Sequence, residues 1–331
     1  MISAKIIADS ISVAGHRITT FELEYPRFIH AEFMTHRLFS RNAASSRAIP
    51  VKRAIELIQE NTAMPIHWGK NQPGMSAKEE CDDLVVFNHV EIEYNGNTGS
   101  PAYEREEAWN ESRDRAIEIA KSFDEAGYHK QIVNRLLEPY SHIKVVCTST
   151  EFDNFFYLRR HPDAQPEIQE LANQMWSAYQ NSIPYELSEG EWHVPYFRDG
   201  YWAPSTSDNA YDDFAPDDAE KKGYSLEDAI AISASCCAQV SYRRLDDSLE
   251  KAKQIYQRLI ESKPAHASPF EHQATPMDYI LMGDDCYHWE GSWMPGITHA
   301  DRFGDGWSGN FRGWIQNRQL IPDNVCVEYI P

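Results

Sequence analysis

The chain carries no basic excess. It sets 31 lysines and arginines against 51 aspartates and glutamates, a formal net charge of -20 over 331 residues. A protein this acidic is excluded from broad binding to nucleic acid or anionic membranes, both of which need a basic footprint. A small anionic ligand in a local pocket remains open. Long apolar runs are missing too, since none approaches the roughly 18 residues that a membrane helix requires. The start, Met1 to Ser10, has no long apolar core after a basic stretch, so no signal peptide is evident and a soluble, cytoplasmic protein is expected. The six cysteines (Cys81, Cys147, Cys236, Cys237, Cys286, Cys326) show no Cys-x-x-Cys pair. Adjacent Cys236 and Cys237 lack zinc-ligand spacing, so no metal site is expected and the thiols are read as buried. Neither a Rossmann glycine fingerprint nor a P-loop occurs, so a bound nucleotide has to be held by another fold.

Apolar residues make up 42% of the chain and nine are tryptophan, enough for a sizeable core in one large or two medium domains. Against the acidic background one stretch stands out. Thr35 to Arg47 packs three arginines, three serines, one histidine and one asparagine into thirteen residues. On charge alone two readings stand. Arg37, Arg41 and Ser45 fall at four-residue spacing, which on a helix is simply a solvated face. Between Phe39 and Ile49, however, there is no large apolar residue to hold a helix, and Ser and Asn favour caps and turns. The stretch is therefore read as a polar loop leaving a helix, offering hydroxyls, backbone N–H groups and guanidinium forks to an anion.

The flanks fit that reading. Ile18 to Tyr25 alternates, with Phe21, Leu23 and Tyr25 on one face and Thr20, Glu22 and Glu24 on the other, which predicts a half-buried strand. Pro26 suits the first turn of a helix carrying Phe28, Ile29 and Phe33. Further on, the patterns predict helices over 51–58, 103–123, 132–137, 164–179, 226–238 and 248–262, with Ser225 as an N-cap. They predict a strand over 143–148 and a partly helical run over 151–160. Residues 64–75 and 95–101 are rich in turn formers. The segment 183–222 reads as an extended covering loop that must bury Trp192, Tyr196, Phe197, Tyr201 and Trp202. His266 to His272 holds two histidines and a glutamate, but Pro269 prevents helical ligand spacing. A last helix is expected over 310–320.

Several of these stretches together resemble the flavin-dependent thymidylate synthases. His36-Arg37, Ser45 and Arg47 match that family's RHR-x7-S signature without gaps. Arg135 to Pro139, Asn154-Phe-Phe-Tyr-Leu-Arg159 and Ala164-Gln-Pro-Glu-Ile168 are similar to a second family pattern. Ala238-Gln-Val-Ser-Tyr242 and His266 to His272 are similar to a third. The third pattern comes first in the family and last here, so the order looks like a circular permutation, similar to phage-encoded members. The resemblance implies an α+β fold with a central antiparallel or mixed sheet flanked by helices. It implies one catalytic domain over 1–331: family motifs in 11–180, an insertion over 183–222, the permuted motifs in 224–277 and an extra tail over 278–331.

The resemblance also implies roles. Arg159 falls where the family polarises the pyrimidine ring of dUMP. Glu32, Ser45, Ser46, Arg47 and Arg135 fall at nucleotide positions, and His36, Arg37, Asn154, Ser241, His266 and Ser268 at or near FAD positions. The implied reaction is reductive methylation of dUMP to dTMP, with methylenetetrahydrofolate and NADPH as co-substrates, in a homotetramer in the cytoplasm, the host's if viral. Five positions depart from the pattern. Thr35 replaces an arginine, Ala43 a glutamate, Thr148 an asparagine, Asp163 a histidine, and Glu32 stands where the family has a glutamine. Two alternatives follow from them. One is another C5 modification of a pyrimidine nucleotide, such as hydroxymethylation of dUMP or dCMP. The other is a nucleotide-binding homologue without catalysis.

Overall fold

Phe21, Leu23 and Tyr25 are fully buried on one face of a strand, as their alternation predicts. The computed structural model describes all residues except 75, 89, 91, 95–96, 205–223, 241–247, 263–264, 278–293, 327 and 329–331. The strand β1 (Ser3–Ser12) pairs antiparallel with β2 (Arg17–Pro26). A 3-10 turn over Arg27–Ile29 and the single turn α1 (His30–Phe33) lead to β3 (Ser40–Ala43) and α2 (Val51–Glu60). The short strands β4 (Val85–Val86), β5 (Ile92–Tyr94), β6 (Asn97–Gly99) and β7 (Ala102–Tyr103) form two small hairpin-like pairs, β4 with β7 and β5 with β6. Then come α3 (Arg105–Glu125), α4 (Lys130–Val133), β8 (His142–Ser149), α5 (Asp153–Arg159) and α6 (Pro166–Asn181).

The rest of the chain wraps this unit. It comprises β9 (Tyr185–Leu187), β10 (Trp192–His193), β11 (Tyr201–Trp202), α7 (Leu226–Ala238), α8 (Leu249–Glu261) and β12 (Ala274–Pro276). Short strands β13 (His299–Ala300), β14 (Gly306–Ser308), β15 (Phe311–Arg312) and β16 (Trp314–Gln316) close it. The main sheet runs β3-β8-β2-β1-β9, antiparallel except for the parallel β1–β9 pair. A second sheet runs β11-β10-β12-β16. The expected α+β architecture, a mixed sheet flanked by helices, is what forms.

Register explains how the sheet is covered. Phe21, Leu23 and Tyr25 lie opposite Cys147, Val145 and Ile143, and this face meets Ile168, Leu171, Ala172 and Met175 of α6. Those four recur at i, i+3, i+4 and i+7, one stripe of a helix that starts with Pro166 at its first turn. The other face carries Thr20 opposite Thr148 and Glu22 opposite Val146. Val146 packs on Cys237 and Val240, and Ile18 packs on Leu187, Ala274, Phe311 and Trp314. The later segments thus bury the face that alternation alone would leave to solvent. Helix α7 is accordingly apolar all round, buried from Ala229 to Cys237, and Ser225 caps it by accepting from Asp228 N at 3.1 Å.

Four expectations need correction. The helix after Pro26 is only a 3-10 turn and one α turn, because buried Ile29 and Phe33 anchor it and the chain turns away at Met34. The polar stretch does not stay a loop: Ser40–Ala43 pairs with β8, an edge strand whose Ser40 and Asn42 face the wrapping segment. The helix over 310–320 does not form. Gly309 and Gly313 adopt φ of 60° and 73°, so the chain turns twice and Trp314 and Ile315 enter a sheet. Cysteine burial is mixed, with Cys147, Cys236 and Cys237 buried but Cys326 exposed. Cys286 and Ser241 lie outside the described residues. Among the described residues no helix is long and apolar enough to cross a membrane.

Candidate active site

The site begins with aromatic packing. Phe33, Phe39, Phe152 and Phe155 bury against one another under the turn that follows α1. His36 lies on this cluster, its ring 4.9 Å from that of Phe155 at an interplanar angle of 87° and 5.7 Å from Phe39. Arg41 donates to the Phe33 carbonyl at 3.1 Å, joining the His36 N–H that the same carbonyl accepts at 3.4 Å at the end of α1. Helix α5 buries Phe155 and Phe156 in the same cluster, which leaves Arg159 in its last turn at the C-terminal end, where a cation is favoured.

Arg159 is the junction. Its Nε donates to His36 Nε2 at 2.9 Å, although the two residues are 123 positions apart. Its Nη1 donates to Glu32 Oε1 in an ion pair, and its Nη2 reaches Thr35 Oγ1 at 3.4 Å. Accepting from Arg159 requires a lone pair on His36 Nε2, so that ring is neutral and carries its proton on Nδ1. Burial, and then the cations Arg159 and Arg41, push the His36 pKa down to about 4. The side chains of Arg159 and Glu32 remain 20% and 28% exposed, so the pair is open to a ligand from one side.

A second cationic group lies around the turn after β3. Ser46 donates to Glu138 Oε1 at 2.7 Å, and Arg135 Nη1 donates to the same carboxylate at 3.0 and 3.2 Å. Asn134 fastens the turn by donating to the carbonyls of Ser46 and Ile49 at 2.7 and 2.9 Å. Arg27 donates to the Ala44 carbonyl and to Ser141 Oγ, both at 3.2 Å. Burial, with a smaller contribution of opposite sign from Glu138 and the repulsion of Arg135, lowers the Arg27 pKa. Ser45 is half-buried in this turn and Arg47 is exposed beside it.

The sequence-derived residues thus divide. The structure joins Glu32, His36 and Arg159 directly, and joins Ser46 and Arg135 through Glu138. Arg37, Arg47, Asn154, His266 and Ser268 are exposed, and none of their side chains makes a hydrogen bond among the described residues. Arg37, Ser268 and Asn154 offer an exposed guanidinium, hydroxyl and amide, donor types that suit a planar ligand carrying phosphate, so the chemistry of this donor set fits a flavin nucleotide. Sequence reasoning missed Glu138, whose signal is its spacing three residues from Arg135, and Arg41, which lay inside the stretch without a role.

It also missed a buried polar chain on the other face of the sheet. Ser10 Oγ meets His193 Nδ1 at 2.9 Å, His193 Nε2 meets Thr20 Oγ1 at 2.8 Å, Thr20 meets Thr148 Oγ1 at 2.7 Å, and Thr148 meets His272 Nδ1 at 2.8 Å. Burial holds both imidazoles neutral, with pKa values pushed down to about 3. Beside it, Gln316 Nε2 bridges Ser40 Oγ and the Glu271 carbonyl, each at 3.2 Å. These bonds seat His266 to His272 against β3.

No curated protein matches the chain. Among solved structures, the UMP/dUMP methylase PolB from Streptomyces cacaoi bound with 5-Br dUMP is 18% identical, covering 54% of this chain and 90% of its own, with a TM-score of 0.37. Thymidylate Synthase X (ThyX) from Helicobacter pylori with FAD and dUMP is 16% identical, covering 49% and 67%, with a TM-score of 0.33. The family described as thymidylate synthase complementing protein matches residues 5–185. That span holds most of β1, all of β2 to β8 and both partners of the Arg159–His36 contact, and a match over more than half of the sequence decides the assignment: the chain belongs to the thymidylate synthase complementing protein family.

Proposed function

We propose that the chain is a flavin-dependent enzyme that methylates carbon 5 of a pyrimidine deoxynucleoside monophosphate. The family's reference form of that reaction converts dUMP to dTMP with methylenetetrahydrofolate and NADPH as co-substrates. The observation that carries the proposal is the 2.9 Å contact between Arg159 Nε and His36 Nε2. It brings together two motif segments that the sequence keeps far apart. Bound FAD supplies the hydride and the passage of the one-carbon unit. His36, Arg37, Asn154, His266 and Ser268 are the described residues that would hold it, together with Ser241, which lies outside them.

The chain's own groups do the rest. Arg159 donates to the ring carbonyl and nitrogen of the pyrimidine, favouring the electron distribution that makes carbon 5 nucleophilic. Ser45, Ser46, Arg47 and Arg135 take the phosphate. His36 fixes the plane of the Arg159 guanidinium from one side while Glu32 fixes it from the other. The whole chain serves as one catalytic unit, in which the permuted segment 224–277 docks on the family sheet. Asn42 Nδ2 donates to the Cys237 carbonyl at 3.3 Å and Thr148 meets His272, both consistent with that reading. Met34, Leu38, Tyr157 and Leu158 are exposed around the site, and the homotetramer that the family resemblance implies would cover them.

Two measurements test the proposal on the purified full-length protein. A bound-flavin absorption spectrum and tritium release from 5-tritiated dUMP or dCMP support it. Colourless protein that fails to bind added FAD, with no release from either nucleotide, overturns it.

A further inference from the structure

The hydrogen bonds around Arg159 leave a defined set of groups for a base to read. A guanidinium has five N–H donors. One is committed to His36, one to Glu32 and one to Thr35, which leaves one on each terminal nitrogen. Glu32 uses Oε1 for Arg159, and its Oε2 has no hydrogen-bond partner among the described residues. The open set is therefore two donors beside one acceptor. The acceptor belongs to a carboxylate, which cannot turn round to donate as an amide can.

The Watson–Crick edges of the pyrimidines differ in what they offer. Cytosine presents acceptors at O2 and N3 and a donor at its exocyclic amine, so it pairs with two donors and an acceptor at all three positions. Uracil presents acceptor, donor, acceptor. Set in the same place, its N3 must lose its proton before it can accept from Arg159, and its O4 still meets the Glu32 carboxylate. Shifted by one atom it recovers two bonds, O4 to Arg159 and N3–H to Glu32, but then turns O2 toward the same carboxylate. Leaving a polar group unmatched is what makes such sites discriminate.

We propose that Glu32 and Arg159 together read the cytosine edge, so that dCMP is the preferred nucleotide of this site. The inference rests on the proposed function, because it assumes that a pyrimidine monophosphate binds at Arg159. It makes Glu32 a specificity-determining residue and not only the partner of Arg159.

The test is calorimetric binding of dCMP and dUMP to the full-length protein, wild type and Glu32→Gln, with FAD present. Wild type binds dCMP tighter than dUMP by about ten- to a hundredfold. The Glu32→Gln amide turns to either base, so the ratio falls to near one. The ratio is the readout because any general loss of Arg159 orientation weakens both nucleotides alike. A wild type that prefers dUMP, or a ratio that Glu32→Gln leaves unchanged, overturns the inference and leaves the proposed function standing. Binding of neither nucleotide overturns both.

Discussion

Thr148 Oγ1 and His272 Nδ1 lie 2.8 Å apart in the buried interior, joining a strand of the family sheet to a residue 124 positions further along the chain. Thr148 also bonds Thr20, so a single hydroxyl serves two partners in a chain of four hydrogen bonds. Because each hydroxyl donates once, the tautomers of His193 and His272 fix the direction of the whole chain. Thr148→Val keeps the shape and removes the hydroxyl, leaving Thr20 and His272 each short of a partner. The expected loss is about 2 kcal/mol, as for unsatisfied buried polar groups, read as a lower urea midpoint, and Thr148→Ser restores it. An unchanged Thr148→Val midpoint would show that the bond does not stabilise the docking of the late segment.

His193 and His272 make the fold acid-sensitive. Burial depresses both pKa values from 6.5 to about 3, with His193 adding to the effect on His272. The folded state binds these protons less readily than the unfolded state. Their contribution is therefore fully present above about pH 6.5 and is lost as pH falls from there toward about 3. Near pH 5 each costs on the order of 2 kcal/mol. Urea midpoints at neutral pH and near pH 5 check this. In His272→Gln the drop between the two pH values shrinks by about one histidine's share, whatever the variant's stability at neutral pH.

Much of this was readable from residue patterns, and the misses share a physical cause. Phe21, Leu23 and Tyr25 announce β2 by alternation, and Ile168, Leu171, Ala172 and Met175 announce α6 by helical spacing, because both patterns record burial against a neighbouring element. What no local pattern shows is which later segment covers a polar face. Thr20 and Thr148 read as solvent-facing or neutral until His193 and His272 arrive to bond them. Ser40 to Ala43 lacks strand residues and becomes a strand because β8 offers an open edge. The tail misled for the opposite reason: Arg312, Gln316 and Arg318 look like a helical polar face, but Gly309 and Gly313 bend the backbone before a helix can form. In the site, Arg159 and His36 were legible through motifs, whereas Glu138 showed only its spacing from Arg135, and its bond to Ser46 depends on a turn geometry that only folding creates.

Arg159→Ala separates chemistry from stability. Its side chain is one-fifth exposed at the end of a short helix, and its partner Glu32 can rehydrate once released. The fold is expected to survive with a melting temperature close to wild type, while turnover on the accepted pyrimidine nucleotide falls at least about a hundredfold. A second readout is independent of activity. Burial is the larger cause of the low His36 pKa and Arg159 the next, so the variant's His36 titrates above about 4 but still below the ordinary 6.5. Imidazole chemical shifts followed against pH show this directly. Retained turnover would remove Arg159 from its assigned role.

Glu138 sets the terms on which a phosphate enters. Its carboxylate accepts from Ser46 at 2.7 Å and from Arg135 at 3.0 and 3.2 Å. These are two of the groups that the proposed function assigns to the nucleotide phosphate. An incoming dianion must share or displace those donors and also meets a like charge close by, which is unfavourable at any dielectric. Glu138→Gln removes the charge and keeps an acceptor for Ser46. It is expected to tighten binding of the pyrimidine monophosphate by several-fold and to leave the corresponding nucleoside unchanged, since the nucleoside has no phosphate to be repelled. Arg135→Gln does the reverse, weakening the monophosphate alone. Titrations of nucleotide and nucleoside against both variants decide it, and equal effects on the two ligands would place the Ser46–Glu138–Arg135 cluster outside the phosphate site.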